Sequence, residues 1–351
     1  MKIKEHYIFA SLSMLYLAVV FSSCSSGYGE DAIVPQDRIS FLISSSASYH
    51  NQGRSTLTDD FDNSVGIFGF TYDGVWTDSK TPDLMWNEMI TPLKDHWITE
   101  NAFPIDILKQ QTQNMRYYAY YPYINFDEVD DSYLSVTSKN IAGIPYLNYT
   151  VPVDVESQYD IRVGNSVEKS MTDIITPSAI EMTHKMTAIK FVNGDITSGT
   201  IKSITLSKIH NKGEIYAEKT ASWALDENSY NDFTIILNKT LTSASIGSVL
   251  NGNDQVLLMM PQALANASKM TMVYNDGQDH TLTVSMKGLT WLEGKVVTYT
   301  ISLKSLERMH VSASIVDWGD EYSITGEVSD ASSIQSGTVI VDWESESNIN
   351  N

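Results

Sequence analysis

The sequence predicts an all-β protein built as two β-sandwiches in tandem, and three observations carry that expectation. Short runs of β-branched and aromatic residues recur along the chain, among them ISFLIS (39–44), SVGIFGFTY (64–72), MRYYAYYPY (115–123), MTAIKFV (186–192) and KVVTYTISL (295–303). Turn pairs separate such runs, including Asn193-Gly194, Asn251-Gly252 and Asp276-Gly277, which suit tight hairpins. No stretch sustains the 3.6-residue apolar period of a helix; IDILKQQTQNM (105–115) is the best helix candidate and a short one. Many short strands bounded by turns make sandwiches.

The N-terminus is read as a targeting segment. Lys2 and Lys4 precede the uncharged apolar run IFASLSMLYLAVVF (8–21), which is too short to span a bilayer comfortably. FSSC follows, ending at Cys24, and small residues directly before a cysteine at this place resemble a bacterial lipobox. The alternative is an ordinary signal peptide with an incidental cysteine. Cys24 is the only cysteine in 351 residues, and lipidation would consume a thiol that is otherwise a liability in an exported protein. The expected organisation is a signal peptide over 1–23, a tether over 24–37, sandwiches over 38–176 and 177–330, and a tail over 331–351. The boundary rests on TDIITPSA (172–179), with Pro177 and small residues, after which alternating strands resume.

The formal charge is −20, and removing the signal segment, with its two lysines and one glutamate, makes it −21. Such acidity argues against nucleic-acid binding and against attraction to anionic membrane surfaces. A search for catalytic constellations yields nothing firm. There is no G-x-S-x-G and no H-E-x-x-H, and a single cysteine excludes Cys-zinc sites. The one S-x-x-K, Ser166 to Lys169, has no companion motif. His184 is expected in a structural, hydrogen-bonded role. DEVDDS (127–132) lacks the glycine and ligand spacing of a calcium loop and reads as a solvated turn. No enzyme, no cofactor and no metal site are therefore expected.

The aromatics admit two readings. Trp76, Trp86, Trp97, Trp223 and Trp291, with RYYAYYPY, could form stacking platforms for sugars, or they could pack sandwich cores. Strand alternation puts Tyr117, Ala119 and Tyr121 on one face and Tyr118 and Tyr120 on the other, with one face expected in the core.

Taken in order, the lipobox, ISFLISSSAS, the loop NQGRST, SVGIFGFTY, RYYAYYPY, EMTHKMTAIKFV, WLEGKVVTYTISL and a terminal IVDW resemble the fimbrillin family, subunits of the type V pili of Bacteroidales. The resemblance covers essentially the whole chain. It implies two tandem transthyretin-like domains and export as a lipoprotein precursor to the outer-membrane surface, lipidated at Cys24. It further implies removal of the first strand by an Arg- or Lys-specific protease and filling of the vacated groove by the C-terminal strand of another subunit. The implied partners are other pilus subunits, the protease, the outer membrane and a host or bacterial surface ligand. On this chain the first strand is 39–48, and Arg54, in the loop YHNQGRST (49–56), is the expected cleavage site. Cleavage at Arg38 would free the lipid but leave the strand.

The segment IVDW occurs twice, in ASIVDWGDE (313–321) and TVIVDWESE (338–346). Alternation puts Ser314, Val316 and Trp318 on one face in the first copy, and Val339, Val341 and Trp343 in the second. The second follows a polar stretch and is expected to be a donor strand, the alternative being the last strand of its own domain. The competing overall reading is a monomeric surface lipoprotein that binds glycans or proteins through exposed aromatics.

Overall fold

The computed structural model describes residues 35–45, 61, 64–125, 133–251, 256–318 and 341–344. Strand makes up 53% of these residues and helix 5%, an all-β composition as the alternating sequence predicts. Among them the one α-helix is the single turn Ile105–Leu108, which buries Ile105. The predicted helix stops there because Asn114–Tyr121 is drawn into a sheet on both of its edges.

The largest sheet runs in the order Val65–Tyr72, Met85–Leu93, His96–Thr99, Ser40–Ser45, Ser178–His184, Arg162–Asn165, Asn114–Tyr121 and Lys169–Ser170. Val65–Tyr72 also pairs with Asn114–Tyr121, so all of these strands except Lys169–Ser170 close into a ring. Closure removes free edges, and edges are where sheets pair with other chains. Strand Ser178–His184, at the opening of the expected second sandwich, is hydrogen-bonded into this ring.

The ring has two apolar faces. Met115, Tyr117, Ala119 and Tyr121 join Phe41, Val65, Ile67, Ile90, Ile180 and Met182 in one cluster. Tyr118 and Tyr120, with Phe68 and Phe70, belong to a second and larger cluster. The alternation expected of RYYAYYPY is present, and both faces are buried where one was expected. Strand interiors covered on two sides read as near-continuous apolar runs, which is how VGIFGFTY and MRYYAYY read. Gly66 is required at one such place, because a Cβ there would lie 2.1 Å from the Tyr120 ring on the paired strand.

The remaining strands build a sandwich. A five-stranded sheet has the order Leu257–Met259, Thr187–Asn193, Lys295–Ser305, Arg308–Asp317 and Val341–Glu344. A four-stranded sheet has Tyr230–Thr240, Thr200–His210, Lys269–Asn275 and Asp279–Ser285. Phe191, Tyr299 and Val311 of the first sheet and Ile204, Phe233 and Met272 of the second share one core. Asp276 and Gly277 sit in the hairpin joining Lys269–Asn275 to Asp279–Ser285, as predicted, with Gly277 at φ 126°.

The same core includes Leu147 and Tyr149 from the first half of the chain. They come from Tyr146–Thr150, which pairs with Lys212–Tyr216 in a small sheet drawn from both halves, flanked by Leu134–Val136 and Ala224–Leu225. The two halves of the chain are therefore joined by a shared sheet and a shared core.

Candidate assembly site

Strand Ser40–Ser45 occupies a slot inside the ring. On one side it pairs in parallel with Ser178–His184, with Phe41 opposite Ser178 and Ser45 opposite Met182. On the other it pairs antiparallel with His96–Thr99, Phe41 lying opposite Trp97. Just before the strand, Thr99 donates its amide to the Ile39 carbonyl at 3.1 Å, and the Ile39 amide donates to Thr99 Oγ1 at 3.2 Å.

The side chains sort by face. Ile39 and Phe41 are buried in the ring cluster, while Leu42 and Ser44 face outward. Phe41 is completely buried and meets the edge of Tyr117 at 5.0 Å between ring centroids. Tyr117, fully buried itself, has its hydroxyl pKa raised by desolvation and stays neutral. Trp97 and Tyr121 both pack edge-on against Phe61 at 5.4 and 5.1 Å, and the Arg162 guanidinium lies 4.7 Å over the same Phe61 ring.

The end of the strand meets a polar node. His184 is buried, with Nδ1 at 2.9 Å from Asp160 Oδ2 and Nε2 at 3.3 Å from Ser45 Oγ. Arg162 Nε donates to the same Asp160 oxygen at 2.7 Å. Burial would raise the Asp160 pKa, but the charges and hydrogen bonds of His184 and Arg162 outweigh it and hold the carboxyl at about 2. The His184 ring stacks on Trp318 at 4.4 Å with 16° between planes. Sequence spacing could not reveal this node, since 139 positions separate Ser45 from His184 and 24 separate His184 from Asp160.

Beside His184 lies a cavity of about 270 Å³ lined also by Thr183, Glu293, Gly294, Lys295, Asp317 and Trp318. Its charges are matched: Lys295 pairs with Asp317, and Glu293 accepts from the buried Lys185 at 3.1 Å. The Trp318 indole N–H is buried there without a partner among the described residues.

The first IVDW copy ends strand Arg308–Asp317. Met309, Val311, Ala313 and Ile315 point into the main core, whereas Val316 and Trp318 join Ala188 and Val296 in a small cluster on the opposite face. The second copy contributes Val341–Glu344, the edge strand of the five-stranded sheet. It pairs antiparallel with Arg308–Asp317 of the same chain, Val341 opposite Ala313 and Trp343 opposite Val311. Cys24, Arg54, Val339 and the acidic segment 127–132 lie outside the described residues.

The tryptophans named as sugar platforms pack into the interior: Trp291 is fully buried, and Trp76, Trp86, Trp97 and Trp223 pack against the two main cores. The Ser166–Lys169 pair is spent on backbone contacts, Ser166 Oγ accepting from the Tyr117 amide and Lys169 Nζ donating to the Thr176 carbonyl.

The sequence model of the fimbrillin-like family matches residues 54–318. The chain belongs to the fimbrillin-like family. This is a family of fimbrial structural proteins, and the protein is not an enzyme. The match leaves out both Ser40–Ser45 and Val341–Glu344.

Among solved structures, the chain is similar to a fimbrial protein from Bacteroides vulgatus, with a TM-score of 0.56 and 17% identity over 80% of this chain and 99% of that one. It is also similar to a candidate cell adhesion protein from Bacteroides uniformis, with a TM-score of 0.50 and 16% identity over 80% and 99% of the two chains. At these identities the likeness is one of fold. Comparison with curated proteins gives no match.

Proposed function

We propose that this fimbrillin-like protein is a structural subunit of a cell-surface pilus that serves adhesion and assembles by exchange of its first strand. The observation that carries the reading is the placement of Ser40–Ser45. It is hydrogen-bonded on both edges inside a closed ring, and it fills the ring core with Ile39 and Phe41. Its departure would leave two unpaired edges, His96–Thr99 and Ser178–His184, above an apolar trough. Such a slot is filled best by another extended segment with alternate apolar side chains.

In this reading the chain is exported as a lipoprotein anchored to the outer membrane through Cys24. A protease cutting after Arg54 frees the first strand, and a strand containing Val339, Val341 and Trp343 from a neighbour takes its place. The edge position of Val341–Glu344, paired on one side, suits a segment that changes partner. The two-domain organisation is part of the proposal. Its halves are the ring, closed by Ser178–His184, and the sandwich that follows.

The test uses purified, lipid-free precursor cut with trypsin under native conditions. A new N-terminus at Ser55, read by mass spectrometry, together with SDS-resistant ladders lost on deletion of 337–351, is the expected result. A protein that keeps residues 39–48 and stays monomeric would overturn it.

A further inference from the structure

We propose that the slot receives residues 339–345 of a second copy of this chain in one register and one direction, with buried His184 reading a serine at the end. Val339 takes the place of Ile39, Val341 that of Phe41, Trp343 that of Ile43 and Ser345 that of Ser45. The inference rests on the strand-exchange reading and adds to it the register, the polarity and the residue that checks them.

The burial profile of the resident strand is the template. Ile39, Ser40, Phe41 and Ser45 are buried, Ile43 is half-buried, and Leu42 and Ser44 are exposed. Laid on it in parallel, VIVDWES puts apolar Val339, Ile340 and Val341 on the three buried places. Asp342 and Glu344 fall on the two exposed ones, and the large Trp343 on the half-buried rim.

Placements one or two residues away, and reversal about Val341, fare worse on chemistry. A slip of one residue puts Asp342 on the buried Phe41 position in one direction or Glu344 on the buried Ser45 position in the other, and Trp343 on an exposed position in both. A slip of two toward the C-terminus puts Asp342 on the buried Ser40 position, where a carboxylate would lie without a counter-charge. A slip of two the other way puts Gly337 in place of Ile39 and exposes Ile340. Reversing the strand about Val341 again buries Asp342 at Ser40.

The serine at the end has a reader. Asp160 engages His184 Nδ1, which leaves Nε2 turned to the strand and within 3.3 Å of Ser45 Oγ. A hydroxyl both donates and accepts, so it satisfies either state of that nitrogen. An apolar side chain there would leave a buried imidazole nitrogen unsatisfied. In the incoming segment the position falls on Ser345. His184 is thus a positioning residue, reporting that the strand has run to its full depth.

The test is cross-linking of the full-length chain, unlipidated and carrying Cys24→Ser. In the resident strand Ser44 lies opposite Glu181, both exposed, so the register places Glu344 of the second copy opposite Glu181. Paired positions on adjacent strands lie within disulfide reach, whereas a shift of two residues moves the partner roughly 7 Å along the strand. Glu181→Cys protein is mixed with Glu344→Cys protein or, as the off-register control, Asp342→Cys protein. Each mixture is cut with trypsin and mildly oxidised.

The expected result is disulfide-linked dimer from the Glu344→Cys mixture, at least about tenfold above the Asp342→Cys mixture. In the matched mixture, adding Ser345→Val lowers the yield several-fold and Ser345→Thr restores it. Ladders that cross-link through position 342, or through neither, overturn the register while strand exchange stands. Ser345→Val without effect overturns the role of His184. If no ladder forms at all, strand exchange itself falls, and the register with it.

Discussion

The first and last strands of the described chain have nearly the same grammar and very different surroundings. Both ISFLISS and VIVDWES hold a run of three apolar residues among polar ones and end in serine. Ser40–Ser45 lies between two neighbours in a closed ring, whereas Val341–Glu344 has one neighbour, at a sheet edge, among the described residues. Energetic weight is thus set by position in the sheet and not by composition. Only the interior strand is predicted to matter for the stability of the folded chain.

The strongest way to break the comparison is to empty the slot from within. Phe41→Ala removes a completely buried ring that packs on Tyr117, and it should lower unfolding stability by about 3–5 kcal/mol. Deleting 337–351 should cost far less, since the hydrogen bonds of a four-residue edge ladder are largely offset by the entropy of ordering those residues. Urea midpoints of the two variants decide the matter. Equal losses would mean that the edge strand is as integral to the fold as the interior one.

Acid should loosen the interior strand next. The Asp160 carboxyl is held at about 2 in the folded protein, below its ordinary value of 3.8. A depressed folded pKa gives stability that is fully present above the unfolded value and is lost as pH falls through the folded one. The loss therefore falls between about pH 4 and pH 2 and amounts to about 2 kcal/mol. Asp160→Asn should be destabilised throughout and lack that step. Urea midpoints of both proteins at pH 5, 4, 3 and 2 measure the difference, and parallel curves would remove Asp160 as its source.

Much of this was legible in the sequence. Alternation gave the strands and the two faces of MRYYAYY, and turn chemistry gave the Asp276-Gly277 hairpin. Three things were not. Burial of both Tyr faces depends on a second layer contributed by residues far along the chain, such as Ile189 and Met272, and no local pattern reports that. The Ser45–His184–Asp160 node is equally silent, since Ser45 and His184 end separate strands, Asp160 precedes a third, and together they form no motif. The same holds for Ser178–His184. Its alternation marks it as a strand, yet only its parallel pairing with Ser40–Ser45 assigns it to the ring.

A smaller effect sharpens the role of the node. Ser45→Ala leaves the His184 Nε2 contact unmade while Asp160 still holds Nδ1. The expected loss is about 1 kcal/mol, the net worth of one hydrogen bond, and Ser45→Thr should recover most of it. Since Asp160 keeps both Arg162 and His184, the acid step of the Ser45→Ala protein should keep its position in pH. A shifted step would mean that the serine helps to set the charge balance of the node as well as the depth of the strand.

The smallest effect is one of local opening. Amides of Phe41–Ser45 sit in a strand paired along its length with Ser178–His184 and, at its start, also with His96–Thr99, so their exchange with solvent should track global unfolding. Among the described residues, amides of Val341–Glu344 are secured from one side, and they should exchange through detachment of that strand alone, orders of magnitude faster. Hydrogen exchange read by mass spectrometry on peptides covering each strand distinguishes the two. Equal protection would mean that the terminal strand is locked to Arg308–Asp317 as firmly as the first strand is to the ring. A strand locked in that way could not be offered to a neighbour without unfolding the sandwich that holds it.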